Sequence, residues 1–505
     1  MSAFQSIARK PPVTIPARRP GLSKSRITAF EQCPRKLWLS VHRPDLATLD
    51  AGAEARFATG HQVGEVACRL HPDGVMVEAA PDLAAALATT SRLLGDGFRG
   101  PIFEATFQHD GVLVRVDLLL PHGRKGWRMA EVKSSTRVKD YHLGDLATQV
   151  WVAEANGLDL TGAAIAHIDN SFVLTREGQY EGLFAHAEML PGARSIALGR
   201  ADVVKAARAV LAGPEPEREP GDHCSSPFDC EFVAHCSRHL PAPPPWPVTV
   251  LPYGGGKAWL AKGVTNLLDL KASDLKPLQA RIVQATRADR AFHDAAGARK
   301  AMAAWPRPHA FLDFETIAPA IPLWIGTRPY QQIPFQFSLH IEESDGGPTA
   351  HHEFLKIDGG DPRVACAQAL VAHVPEAGAI IAYNAGFERS VLKELAAAVP
   401  SHAKALLDMA ARTVDLLPVA RAHWYHRDQR GSWSIKAVLP TIAQGLGYES
   451  LEVKDGGEAQ EAFLEAISTD CPPERRWALE EALKAYCERD TWAMVVLKRK
   501  LEGSA

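Results

Sequence analysis

Residues 111–151, GVLVRVDLLLPHGRKGWRMAEVKSSTRVKDYHLGDLATQVW, leave little choice of local structure. Apolar and β-branched residues run over 112–120, stop at Pro121-His122-Gly123, and resume over 127–132. Alternation bounded by turn residues predicts two strands joined by a turn, followed by a helix over 144–156. Three charges interrupt the apolar pattern: Asp117, Glu131 and Lys133. Side chains alternate along a strand, so Glu131 and Lys133 share a face, and Asp117 joins them if the hairpin is in register. Two carboxylates and a lysine on one face suit Mg²⁺ or Mn²⁺, with the lysine orienting a bound water or offsetting phosphate charge. Gln149 on the following helix is placed to position that site. The bland alternative is a surface strand carrying a solvated Glu-x-Lys pair.

A chain of 505 residues has room for two or three domains. Its 46% hydrophobic and 23% charged residues are those of an ordinary globular protein. A net charge of −3 gives no global basic signature, so nucleic-acid contact has to come from local patches. No apolar run approaches the ~20 residues of a membrane span, so no membrane association is expected. Residues 1–21 are basic and proline-rich without an apolar stretch, which reads as a disordered arm rather than a signal peptide. The expected compartment is the cytoplasm.

The eight cysteines are unevenly placed. Cys68, Cys366, Cys471 and Cys487 read as isolated, semi-buried thiols. Cys224, Cys230 and Cys236 follow a C-x5-C-x5-C spacing, and three thiols this close in an intracellular protein point to metal rather than disulfides. A fourth ligand is needed, and Cys33, in a Cys-Pro-Arg-Lys context, is the candidate. Zinc sites favour tighter cysteine pairs, but His223 and His235 keep zinc as an alternative.

The series Asp117, Glu131-Val132-Lys133 and Gln149 resembles the PD-(D/E)xK nuclease superfamily, in particular its RecB-type branch. The resemblance implies a restriction-endonuclease-like mixed sheet, Mg²⁺ or Mn²⁺ on Asp117 and Glu131, and catalytic roles for Lys133 and Gln149. One early cysteine with three late ones resembles the iron–sulfur clasp of the same branch. That implies a 4Fe-4S cluster on Cys33, Cys224, Cys230 and Cys236. Two departures stand out. The early-helix histidine of that branch is missing: Gly60 leads to Gly64, with His61 and Glu65 alongside, and Glu65 or Glu104 is the candidate replacement. The tyrosine expected after Gln149 is also missing, and Trp151 is the nearest aromatic.

Over 241–307 a proline-dense linker and a helical connector are expected, and a new domain begins at 308. There AFLDFET places Asp313 and Glu315 on one strand face and Phe314 on the other. A strand over 333–343 follows, then Asn384, Phe387 and Glu388 where a strand passes into a helix, then Asp415, then Lys436. Tyr486 and Asp490 sit at i and i+4 of a long amphipathic helix, on one face. In this order the motifs resemble the DnaQ-like (DEDD) exonucleases, with an RNase H-like α/β fold. The resemblance implies two metal ions held by Asp313, Glu315, Glu388 and Asp490, and a water positioned by Tyr486. Glu388 stands where that family carries aspartate. Asn384 and Asp415 are supporting, and Lys436 is placed to meet a phosphate.

As a whole the chain resembles a bacterial family that fuses a RecB-like nuclease with an iron–sulfur cluster to a DnaQ-like exonuclease. The expected function is metal-dependent hydrolysis of DNA phosphodiesters at single-stranded ends, in repair, recombination or defence-related processing. RNA as substrate, and a nucleic-acid-binding scaffold with a decayed site, are the alternatives.

Overall fold

Runs of β-branched residues punctuated by amphipathic helices yield mixed α/β architecture, seen in a computed structural model that describes residues 21–48 and 52–503. The arm expected over 1–21 lies, apart from Gly21, outside the described residues. Two compact units result. The first comprises the chain as far as Asp169 together with Tyr180–His239; the second takes Asn170–Gln179 and everything from Leu240. No helix among the described residues is long and apolar enough to cross a membrane.

The first unit is built on a seven-stranded mixed sheet of β1 (Leu22–Ser23), β2 (Val75–Met76), β3 (Ile102–His109), β4 (Val112–His122), β5 (Gly126–Lys133), β6 (Leu160–Ile168) and β7 (Phe184–Glu188). The order is β2-β3-β4-β5-β6-β7, with β1 added in parallel to β4. Strands β5 and β6 are parallel, which requires a crossover, and the helix Asp140–Ala155 supplies it. Its Leu146, Ala147, Val150 and Val152 bury against Val114, Val116, Met129 and Ile165 of the sheet. Each of the larger of these side chains contributes about 1.5–3 kcal/mol.

A single helix is the natural reading of 27–39, but two form: Lys24–Gln32, capped by Ser23, and Pro34–His42. Pro34 has no N–H and disfavours helical backbone at the residue before it, so Cys33 is extended (φ −161°, ψ 120°). The β-branched and aromatic run 171–175 is not a strand. Its Leu174 exchanges backbone bonds with Gly326 and Thr327 in the second unit, and β7 completes the first sheet instead.

In the second unit the strands are β8 (Phe292–His293), β9 (His309–Ile317), β10 (Ile333–Glu342), β11 (Thr349–Leu355), β12 (Ala379–Ala382), β13 (Thr413–Asp415) and β14 (Trp424–Tyr425). Five form a mixed sheet in the order β11-β10-β9-β12-β13, and β8 pairs with β14. Alternation along β9 decides what faces where. Ala310, Leu312 and Phe314 pack with Val391, Leu392 and Leu370 of the helices Gly386–Ala398 and Arg363–His373. Phe311 turns the other way, toward Met494, Val495 and Leu497 of the C-terminal helix Pro473–Glu502. Asp313 and Glu315 follow Phe311 in that alternation. The stretch expected to be a linker and connector is packed into this core, with Val248, Leu267, Ile282, Ala298 and Met302 buried beside Phe311 and Leu416.

Candidate functional sites

In the first unit the β4–β5 ladder runs from the His122–Gly126 pair to the Leu118–Ala130 pair and ends there. At the next step Asp117 Oδ2 accepts the Val132 N–H (2.7 Å). The register places Asp117 opposite Glu131 on β5 and, on the other side, opposite Glu104 on β3, where the ladder skips between Phe103 and Ala105. Glu104 has a left-handed φ of 55°, which side-chain-bearing residues rarely adopt, and it pairs with Arg115 (3.0 Å). Three acids therefore lie side by side on adjacent strands.

Cations crowd the third of them. Lys24, Lys133 and the Gln149 amide all bond the Glu131 carboxylate, Lys133 at 2.8 Å. Lys133 also lies 3.4 Å from Asp145, which accepts from Thr28 (2.7 Å). Burial would raise Glu131, but Lys24 and Lys133 overcome it and hold the carboxyl at about 2. Asp117 goes the other way: burial, then the charge of Glu131, push it up to about 7. Gln149 Oε1 is buried with no hydrogen-bond partner among the described residues. An orphaned acceptor beside three acids is a donor set that fits a hard divalent cation. Glu65 takes no part, being mostly exposed and 3.9 Å from Arg69. Lys24 and Asp145 were not singled out by sequence. Asp145 lies four residues before Gln149, on the same helix face, and could have been found; Lys24, far upstream, carries no such local signal.

The four cysteines converge. Cys33, Cys224, Cys230 and Cys236 line one small cavity, with Leu39, Phe232 and Val233 as apolar wall and Arg35 and Lys36 as nearby cations. Gln32 donates to the carbonyls of His223 (2.9 Å) and Phe228 (2.7 Å), tying the first helix to the cysteine loop. Burial pushes the Cys230 and Cys236 thiols up. Among the described residues, the sets of three metal-ligand atoms within 4.8 Å of one another do not include these thiols. Four thiols in one cavity are a donor set that fits a thiolate-held metal group, iron–sulfur or zinc. His223 Nε2 is 3.6 Å from Cys224 Sγ, whereas His235 is occupied by Glu215 (3.3 Å) and Arg238 (3.1 Å).

In the second unit, β9 and the C-terminal helix bring Asp313, Glu315, Tyr486 and Asp490 around one cleft, which Lys436 and Tyr383 also line. The Tyr448 hydroxyl donates to Asp490 Oδ1, and the Lys436 ammonium lies 5.2 Å over the Tyr448 ring and 5.1 Å over Tyr486. Lys436 donates to the Lys454 carbonyl (2.6 Å). Burial, then the charges of Asp490, Glu315 and Glu388, hold Asp313 well above the usual carboxylate range. Burial and Asp490 push Glu315 to about 8, and burial raises Asp490 despite bonds from both tyrosines. Glu388 is pushed to about 7, chiefly by burial, and its Oε2 has no partner among the described residues. Asp415 is a cap: its Oδ1 accepts from Leu417 N and from Asn384 N, both at 3.0 Å. Asn384 holds a left-handed φ of 73°. Cys487 is not the isolated thiol its sequence context suggests, since its sulfur falls within 4.8 Å of ligand atoms of Asp313 and Glu315. Tyr448 was missed as well, because nothing near it in sequence marks it as a partner of Asp490.

Residues 310–434 match a family model described as a domain of unknown function (DUF2779). That span contains Asp313, Glu315, Glu388 and Asp415 and stops short of Lys436, Tyr486 and Asp490. An uncharacterized protein of Mycoplasma pneumoniae is 28% identical over 207 residues, covering 37% of this chain and 31% of its own length. An uncharacterized protein of Mycoplasma genitalium is 26% identical over 204 residues, covering 37% of this chain and 30% of its own. The chain thus spans about a third of the length of these curated relatives. No solved structure matches it.

Proposed function

We propose that this chain is a metal-dependent nuclease with two active sites that hydrolyses DNA phosphodiesters at single-stranded ends. In this reading the first unit is a restriction-endonuclease-like, RecB-type domain and the second an RNase H-like, DnaQ-type domain. The observation that carries it is a repetition. In each unit, buried carboxyl groups from separate elements crowd until some of them are held near or above neutrality. Such perturbed clusters mark sites built for cations.

In the first unit Asp117, Glu131 and Glu104 would hold Mg²⁺ or Mn²⁺; in the second, Asp313, Glu315, Asp490 and Glu388. Ions held there would supply a water of lowered pKa and offset the charge growing on phosphorus. The protein's own groups do the rest. Lys133, anchored by Glu131 and Asp145, orients the water or a phosphate oxygen. Gln149 fixes the Glu131 carboxylate. Across the second cleft, the Tyr486 hydroxyl positions the attacking water and Lys436 meets a phosphate, while Tyr448 orients Asp490. A 4Fe-4S cluster on Cys33, Cys224, Cys230 and Cys236 would fasten the cysteine loop to the first helices, and no step of hydrolysis is assigned to it.

The test uses end-labelled single- and double-stranded DNA, with RNA in parallel, in Mg²⁺ or Mn²⁺. Wild type cleaves DNA, Asp117→Ala and Asp313→Ala each remove part of that cleavage, and the double variant removes all of it. If neither single change alters cleavage, the reading fails; if only RNA is cut, the substrate assignment fails.

A further inference from the structure

Away from the carboxylate cleft, on β10, β11 and the C-terminal helix, a second kind of ligand set is assembled. His340 and His351 face each other across the β10–β11 ladder, their rings stacked with centroids 4.5 Å apart. Glu488 reaches the same spot from the C-terminal helix, and one ligand atom from each of the three lies within 4.8 Å of the others.

The rings are held by the nitrogens they do not need. His340 Nδ1 is 2.8 Å from Thr491 Oγ1, which is 2.7 Å from Ser338 Oγ, which in turn is 3.0 Å from His351 Nε2. This string of hydroxyls engages one nitrogen of each ring and leaves His340 Nε2 and His351 Nδ1 for a ligand. Hydrogen bonding of the second ring nitrogen is the arrangement that orients metal-binding histidines. His351 Nδ1 and Glu488 Oε1 are 4.0 Å apart, too far for a hydrogen bond, and a small rotation of the half-exposed Glu488 side chain brings them to the ~3.4 Å that two ligands of a tetrahedral ion at about 2.0–2.2 Å require. Trp492 and Arg489 line an open cleft beside them, and Arg489 is turned away to the Gly447 carbonyl (2.7 Å).

The geometry points to a binding site for a divalent transition-metal ion on His340, His351 and Glu488. Imidazole nitrogens select zinc, nickel or cobalt over magnesium, so this site differs in kind from the all-oxygen clusters. The remaining coordination positions open to the cleft. Glu488 lies between Tyr486 and Asp490 in sequence, two residues from each, so the ion clamps the β10–β11 pair to the helix that carries both.

The experiment titrates anaerobically prepared full-length protein with zinc in excess Mg²⁺, against a chromophoric chelator, for wild type, Glu488→Gln and His351→Gln. Glu488 is half exposed and the glutamine keeps its shape. Wild type binds one more equivalent of zinc than either variant, or binds that equivalent at least about tenfold more tightly. Zinc absorption-edge spectra of wild type carry imidazole scattering that the variants lose, and zinc raises the wild-type melting temperature more than theirs. Equal stoichiometry and affinity in all three proteins overturns the proposal. So does an extra equivalent with only sulfur neighbours. Because the readout is binding, it is independent of whether the chain cuts DNA.

Discussion

The two acid clusters differ in how their charge is balanced. In the first unit two lysines, one from the first helix and one from β5, are bonded to Glu131, and the carboxylate stays ionised. In the second unit Lys436 draws Glu315 and Asp490 down, yet burial still wins at Asp313, Glu315, Glu388 and Asp490, helped by neighbouring cluster carboxylates at Asp313 and Glu315. One site carries its own counter-ions; the other is assembled in deficit. On the proposed reading, the second would therefore depend more heavily on ions from solution, both for its chemistry and for its stability.

The sharpest way to break this contrast is through activity. If the proposed function holds, Asp313→Asn should lower cleavage by the second site by at least ~100-fold, since losing a ligand removes several kcal/mol of charge stabilisation. With Asp117→Asn on the same chain, metal-dependent cleavage vanishes. An Asp313→Asn protein that cuts as well as wild type in an Asp117→Asn background would end the two-site idea.

Next in size is metal-linked stability. At Mg²⁺ one hundred times its Kd, each occupied site adds about 2.7 kcal/mol. Calorimetry with and without Mg²⁺ should show a larger shift for the second unit, which on this reading holds two ions, than for the first. Equal shifts would erase the contrast.

A pH series in chelator sharpens it further. Glu315 and Glu388 are held at about 8 and about 7, above the ordinary 4.5 of an unfolded glutamate. A raised carboxyl means that the folded state binds the extra proton, so metal-free stability declines as pH rises from ~4.5 through 8. Glu131, depressed to about 2, works oppositely: its contribution is present above 4.5 and is lost as pH falls toward 2. Melting of the second unit, with Glu315 and Glu388 both raised, should thus decline more between pH 5 and 8 than melting of the first, where Asp117 at about 7 is the raised carboxyl that loses stability in that window. Mg²⁺ affinity should rise over the same interval, because the ion displaces protons.

The smallest effect is expected from Lys24→Met. Removing that ammonium leaves Glu131 with Lys133, so the first unit's metal-free melting temperature falls and Mg²⁺ recovers part of the loss. If the variant melts like wild type in chelator, the ammonium is not what keeps Glu131 ionised.

How much of this was legible depended on the range of the signal. The β4–β5 hairpin, the alternation that turns Asp313 and Glu315 one way and Phe314 the other, and the Tyr486–Asp490 pairing are local, and local periodicity exposes them. The break at Cys33 was also readable in principle, since Pro34 follows it. What periodicity does not reach are partners set by tertiary packing: Lys24 over Glu131, Tyr448 against Asp490, and the Cys487 sulfur among acids. The burial of 241–307 in the second core was hidden for a related reason. Its prolines mark turns, and turns do not reveal what Val248 or Ile282 packs against.

The helix Lys24–Gln32 has a further consequence. At about 1.5 Å per residue it is a rod some 13 Å long. Its leading end presents an ammonium to the acid row, and its trailing end is hitched to the cysteine loop through Gln32. One short rigid element thus spans both clusters, so a single axial position of this helix sets Lys24 against Glu131 at one tip and Gln32 against the cysteine loop at the other.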